Sequence, residues 1–240
     1  RFVLATKFGH PDVDMGIADG ARPGSRAYLR AAVTGSLKRL QTDYIDLYQL
    51  HMPDPDTPIE ETIAALTELV DEGTVRYFGH SNFSAEQLIA AENVAEDLGG
   101  PRFESAQNEF SLLVRDAEAE LLPAVTRFGL GFLPYFPLYN GLLTGKFTRT
   151  TRPADSRIMR QRAHLAQNAP WDAIEAYEHF CAERGVSMLE ATFGWMLAAP
   201  GLTSVIAGAS RPEQLRQNAE AVVAWHPTAA DLATVSGIFA

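Results

Sequence analysis

The sequence predicts an α/β fold on a parallel sheet, most simply a (β/α)8 TIM barrel. Three observations carry this. Short apolar runs alternate with longer amphipathic ones along the 240 residues, which is the pattern of repeated βα units. Two of the short runs end in a titratable side chain just as a loop begins, Lys7 after 2–6 and His51 after 44–50. The carboxyl ends of parallel strands are where barrels and open α/β sheets build their sites. Six βα units can be counted, against eight and ~250 residues for a closed barrel.

The elements follow in order. Strands are expected at 2–7, 44–50, 75–79, 103–107, 131–135 and 203–207. Helices are expected at 25–41, 58–72, 84–98, 115–128, 171–184, 187–199, 211–222 and near 229–239. Thr57-Pro58 ahead of Ile59-Glu60-Glu61 reads as an N-cap, a proline at the first helical position and acids in the first turn. Ser84-Ala85-Glu86-Gln87 and Ser187-Met188-Leu189-Glu190 read as capping boxes. Gly73 and Gly99-Gly100 stand where helix ends favour a left-handed residue.

Residue 1 is Arg and a strand begins at once, so the chain is expected to open inside a fold. The stretch 139–170 is Pro/Arg-rich and irregular, about 30 residues of the kind that forms lids or binding loops. The simplest accounting is one domain over 1–240, a barrel lacking about its first two βα units. A six-stranded open sheet is the alternative. In either case, unpaired strands at 2–7 and 203–207 would offer open edges for self-association, and the 240 residues alone are expected to be unstable or self-associating.

Composition narrows the class. The chain is 46% hydrophobic and 21% charged, ordinary globular values. A net charge of -10 argues against a nucleic-acid partner or an anionic membrane surface. No apolar run approaches the length of a membrane span. The single cysteine, Cys181, excludes a disulfide framework and fits a reducing, cytoplasmic setting.

Several strand ends carry side chains suited to chemistry. A lysine closing an apolar strand is a functional candidate, because burying an ammonium is costly; a lysine snorkelling from a strand end is the plainer reading. His51 precedes Met52-Pro53-Asp54. The next strand ends in Gly79-His80-Ser81-Asn82-Phe83 and the one after in Gln107-Asn108-Glu109. Hydroxyl and amide groups at one level suit a carboxamide ligand, although Ser and Asn also supply turn chemistry. Tyr135 ends a strand and could stack on a flat ring. Gly208-Ala209-Ser210-Arg211 leads into a helix, an arrangement that receives phosphate in many barrels. Arg211 adds a fork suited to phosphate.

Taken together and in this order, the segments ATKFG, DYIDLYQLHMPD, GTVRYFGHSNF, QNEFSLL, GLLTGKF and VIAGASRPEQLRQNAEA resemble the aldo-keto reductase family from residue 3 to about 224. The pattern is most similar to the bacterial branch that also resembles potassium-channel β-subunits. The resemblance implies a (β/α)8 barrel that binds NADP(H) and reduces aldehydes and ketones, with a small-molecule carbonyl substrate. It implies that Lys7 and His51 are two of four catalytic residues. The other two, an Asp and the Tyr acid, belong to a unit that would precede residue 1. Free Tyr titrates near pH 10, so a neighbouring ammonium is what makes it competent near neutrality.

The resemblance further implies that Ser81, Asn82 and Gln107 read the nicotinamide carboxamide and that Tyr135 stacks on its ring. Leu138 and Lys146 would follow the pyrophosphate and ribose. Ser156 and Arg157 would form a lid contact. Gly208, Ser210, Arg211, Gln214, Gln217 and Asn218 would hold the adenosine end. The chain departs from the family at several positions. Phe136 stands where a small hydroxyl residue is usual, Tyr139-Asn140 replaces a small-basic pair, and His80 replaces Val or Leu. One branch carries Lys and Arg where Gly208 and Gln214 stand. Here Arg211, Arg157 and Lys146 would supply the charge for a 2′-phosphate, so NADPH is expected and NAD(H) stays open. A non-catalytic NADP(H)-binding protein of the same fold is the rival expectation. A Schiff-base aldolase on Lys7 ranks behind both, because it leaves Ser81, Asn82, Gln107 and Gln214 unexplained.

Overall fold

The computed structural model describes residues 2–12 and 21–240. Five strands form one parallel sheet in the order β1-β2-β3-β4-β5: β1 Ala5–Phe8, β2 Ile45–Leu50, β3 Val75–Ser81, β4 Phe103–Gln107 and β5 Gly131–Phe132. Each of the first four is followed by a helix: α1 Arg26–Leu40, α2 Ile59–Asp71, α3 Ala85–Leu98 and α4 Leu121–Phe128. This is the sequential βα winding expected from the alternation of apolar runs. The chain groups into two compact units. The first runs to Asn108 and includes Glu118–Phe132; the second comprises Glu109–Ala117 and Leu133–Ala240.

In the first unit, strand alternation divides the side chains between two faces. Phe8, Tyr48, Leu50, Phe78 and His80 lie on the helix-covered face and are buried. Phe8 meets Tyr48, and Phe78 meets Phe103, at ring-centroid distances of 4.7 and 5.4 Å. Leu29 of α1, Ile63 and Leu66 of α2 and Leu88 of α3 complete that core. The opposite face carries Lys7, Gln49, Gly79 and Ser105, paired strand to strand in one row.

Local signals account for most helix ends. Ser25 accepts a bond from the Tyr28 N–H, and Ser84 and Ser187 form the two expected capping boxes. Gly73 and Gly99 take positive φ at the ends of α2 and α3. The N-cap of α2 differs from expectation. Pro58 occupies it, and the Thr57 hydroxyl donates to the Asp54 carboxylate instead.

The second unit holds α5 Arg157–Gln161, α6 Ala163–Gln167, α7 Trp171–Arg184, α8 Met188–Leu197, α9 Pro212–Ala224 and α10 Ala229–Ile238. Its core includes Phe110 stacked on Trp195 at 5.5 Å and Tyr177 bonded to Thr192. Two expectations are revised here. The stretch 139–170 is not structureless: it contains the 3-10 segment Tyr139–Thr144 and the short helices α5 and α6. The strand expected at 203–207 is reduced to a single parallel bridge between Tyr135 and Ile206. Among the described residues, no helix is long and apolar enough to cross a membrane.

Candidate active site

The first unit brings five of the expected site residues to adjacent strand ends. Lys7 lies near the end of β1, and His51 directly follows β2, its N–H donating to the Phe8 carbonyl. Ser81 ends β3 and pairs in register with Gln107, the last residue of β4. The buried Ser81 hydroxyl donates to the Gln107 carbonyl at 2.7 Å. Asn82 adopts φ 63°, a left-handed conformation that Asn tolerates better than most residues. Its amide nitrogen donates to the His51 carbonyl at 2.9 Å and to the Ser81 hydroxyl at 3.1 Å. Asn82 therefore ties the ends of β2 and β3 together. The Gln107 side chain is buried.

The electrostatics are basic. Burial lowers the pKa of Lys7 from its ordinary value. Burial also lowers that of His51, with the charges of Lys7 and His10 adding to the effect. His51 is thereby kept neutral near pH 7, with one ring nitrogen as donor and the other as acceptor. Sequence reasoning passed over His10. It lies in the loop three residues after Lys7, and its ring meets that of His51 edge-on at 4.7 Å.

Sequence reasoning also passed over Gln49 and Ser105, which share the face of Lys7. Both are buried, and neither the Gln49 amide nitrogen nor the Ser105 hydroxyl has a hydrogen-bond partner among the described residues. A signal existed for Gln49: it is a polar residue inside an apolar strand, two before His51 and therefore on the same face. Gly79 lies between them because a Cβ there would stand 2.2 Å from Ser105 Oγ.

In the second unit, Tyr135 forms parallel bridges with Glu109 and with Ile206. Burial raises the pKa of both Tyr135 and Glu109. Phe136, Tyr139 and Asn140 all take positive φ, so the backbone turns sharply around Leu138. Arg162, between α5 and α6, sits over the Phe136 ring at 4.7 Å. Ser156 caps α5, and Arg157 bonds to Gln161. Ser210 donates through both its N–H and its hydroxyl to Gln214 Oε1. Arg211 is the N-cap of α9, with Pro212 opening the helix and Gln217 and Asn218 further along it. A Cβ at Gly208 would meet nothing within 4 Å. Lys146, Arg157 and Arg211 are exposed and form no ion pair among the described residues.

Comparison with known proteins gives the family. The chain matches the aldo/keto reductase family over residues 1–238. The chain belongs to the aldo/keto reductase family. The family's fold is the (β/α)8 barrel, and the parallel order β1 to β5 is that of consecutive barrel strands. The chain is 37% identical over 206 residues to a probable voltage-gated potassium channel subunit beta of Oryza sativa subsp. japonica, covering 82% of this chain and 62% of the relative. It is 38% identical over 229 residues to the uncharacterized oxidoreductase YrpG of Bacillus subtilis, covering 92% and 67%. It is 32% identical over 230 residues to L-glyceraldehyde 3-phosphate reductase of Escherichia coli K12, covering 92% and 65%. The chain thus spans 62% to 67% of the length of these relatives. Oxidoreductases are among its relatives.

Proposed function

We propose that the chain carries the lysine, the histidine and the cofactor-binding residues of an NADP(H)-dependent oxidoreductase that reduces aldehydes and ketones to alcohols. The observation that carries this reading is the convergence of Lys7, His51, Ser81 and Gln107 on four adjacent strand ends. Bound NADPH would supply the hydride. Ser81, Asn82 and Gln107 would orient the nicotinamide amide. Neutral His51 would donate a hydrogen bond to the carbonyl oxygen. The Lys7 ammonium would lower the pKa of the acid that protonates that oxygen, proposed to be a family tyrosine outside these 240 residues. Lys146, Arg157 and Arg211, exposed and without an ion pair among the described residues, support an anionic cofactor and favour NADPH over NADH. A cytosolic setting is supported by the one buried thiol, Cys181.

The test is aldehyde-dependent oxidation of NADPH, and of NADH in parallel, by the full-length protein. Turnover with NADPH that is lost in Lys7→Met is the expected result. Full activity in Lys7→Met would end the reading. The similarity to channel β-subunits favours a second reading, a nucleotide-binding protein without turnover. Tight NADPH binding with no aldehyde-dependent oxidation would select it.

A further inference from the structure

Arg162 is fixed at the junction of α5 and α6. Its N–H donates to the Ile158 carbonyl at 2.7 Å, and its own carbonyl accepts from the Leu165 N–H at 2.9 Å. The residue is exposed, and its guanidinium lies over the Phe136 ring, 4.7 Å from the centroid. The Phe136 ring in turn meets the Tyr135 ring edge-on at 5.2 Å. Phe136 takes φ 54°, a left-handed conformation uncommon for a bulky side chain, and backbone strain of this kind gathers at ligand sites. Burial raises the pKa of Tyr135 and of Glu109, and the Arg162 charge opposes the rise at both. A guanidinium seated over a ring keeps five N–H donors in its own plane, a fork that matches phosphate. The two ring distances set an upper limit of about 10 Å between that guanidinium and the centre of the Tyr135 ring. A nicotinamide stacked on Tyr135 would lie about 3.5–4 Å above it. The phosphate on its ribose would stand a further ~6–7 Å along the chain of bonds. The two spans are of one size.

We propose that Arg162 binds the nicotinamide-side phosphate of the cofactor, with Phe136 as the platform that seats it. This deepens the NADP(H) reading and rests on it. By the resemblance, a small hydroxyl residue is usual where Phe136 stands; here a ring takes that place and carries a guanidinium above it. Charge-assisted bonds from a guanidinium to phosphate are about twice as strong as a neutral hydroxyl's. Glu109 is the competing partner on the protein, since its carboxylate senses the same charge.

The experiment measures dissociation constants by calorimetry on the full-length protein, for NADP+ and for 2′,5′-ADP. The second ligand carries the 2′-phosphate and the adenosine-side phosphate and lacks the nicotinamide-side one. The variants are Arg162→Gln and Arg162→Lys. Affinity for NADP+ is expected to fall about 10- to 100-fold in Arg162→Gln, the loss of charge-assisted bonds. Arg162→Lys should recover part of it, and affinity for 2′,5′-ADP should hold in both. Added salt should weaken NADP+ binding less in Arg162→Gln than in the wild type, because one charge contact is gone. Unchanged NADP+ affinity in Arg162→Gln overturns the assignment. An equal loss for both ligands also overturns it, and would mean that the α5–α6 segment has moved. Arg162→Lys as weak as Arg162→Gln, with the wild-type salt dependence, would assign the loss to packing on Phe136 or to the balance with Glu109 and overturn it too. A wild type that binds neither NADP+ nor NAD+ ends the nucleotide reading itself; a wild type that binds, beside an unaffected Arg162→Gln, ends the Arg162 assignment alone.

Discussion

His80 stacks on Phe83 at a ring-centroid distance of 4.5 Å, fully sealed from solvent, and neither of its ring nitrogens has a hydrogen-bond partner among the described residues. Phe103 closes the third side edge-on at 5.3 Å. An imidazole in an apolar cage forfeits the bonds it makes to water when unfolded, at a cost of about 1–3 kcal/mol per unsatisfied group. His80→Leu is therefore expected to raise stability near pH 7 by about 1–2 kcal/mol, or a few degrees in Tm for a chain of this size. A thermal melt checks this, and an equal or lower Tm would count against it.

The same residue sets a pH dependence. Burial pushes the His80 pKa down to about 3, against about 6.5 in the unfolded chain. Between those values the unfolded state binds the extra proton. Stability is unaffected above pH 6.5 and falls as pH drops toward 3, by about 1.4 kcal/mol per unit at most. Melts from pH 7 to 4.5 should fall more steeply for the wild type than for His80→Leu. Parallel curves would assign the acid loss to other groups.

Gly79 makes the polar row possible. A Cβ there would sit 2.2 Å from Ser105 Oγ, 2.9 Å from the Ser105 carbonyl and 3.3 Å from Gln49 Cγ. Gly79→Ala must push β3 and β4 apart two residues below the Ser81–Gln107 pair. A loss of about 2–3 kcal/mol is expected from overpacking. The double variant Gly79→Ala/Ser105→Ala removes the hydroxyl clash and keeps the carbonyl one. Partial recovery of Tm is expected, and additivity of the two changes would show that they do not meet.

The sequence made the strand-end site legible because its signals are local. An apolar run that stops at Lys7 or His51 places those groups at a sheet edge whatever the rest of the chain does. The capping boxes at Ser84 and Ser187 are equally local and form as read. Two kinds of feature escaped. His10 sits in a loop, where neither period exists to place it, and only the folded chain brings its ring to His51. Strands beyond β4 were read too long because Val, Ile and Phe at 203–207 and 131–135 look like strand residues. The backbone pairs at only a few of those positions, and the sharp turns at Phe136 and Tyr139 cut the ladder short. The helices α5 and α6 are five residues each, too short to leave a periodic signal.

Coupling between Lys7 and His51 can be measured directly. The Lys7 charge is one of the causes that lower the His51 pKa, after burial. Lys7→Met removes a positive charge, so protonating His51 becomes easier and its pKa rises. Burial remains, so the rise is partial. Titration of the His51 ring by NMR in wild type and variant checks this, and an unchanged pKa would mean that the two groups do not sense each other.

Asp54 ties the loop after His51 to the entry of α1. One carboxylate oxygen accepts from the Gly24 N–H at 2.8 Å and from the Thr57 hydroxyl at 2.7 Å, and the other accepts from the Asp56 N–H at 3.0 Å. Thr62 adds a hydroxyl bond to the Gly24 carbonyl at 2.8 Å. Bonds to a charged group contribute about 1.5–3 kcal/mol each when buried and less when half-exposed, as here. Asp54→Ala is expected to cost about 2–3 kcal/mol in total and to release the Gly24 amide. Asp54→Asn keeps one oxygen and should fall between. Because the tie joins the segment after His51 to the segment after His10, Asp54→Ala should also lower turnover more than its Tm loss alone explains. Hydrogen exchange at the Gly24 amide distinguishes the cases: unchanged protection in Asp54→Ala would show that the helix entry is held by Thr62, and the turnover effect should then be absent.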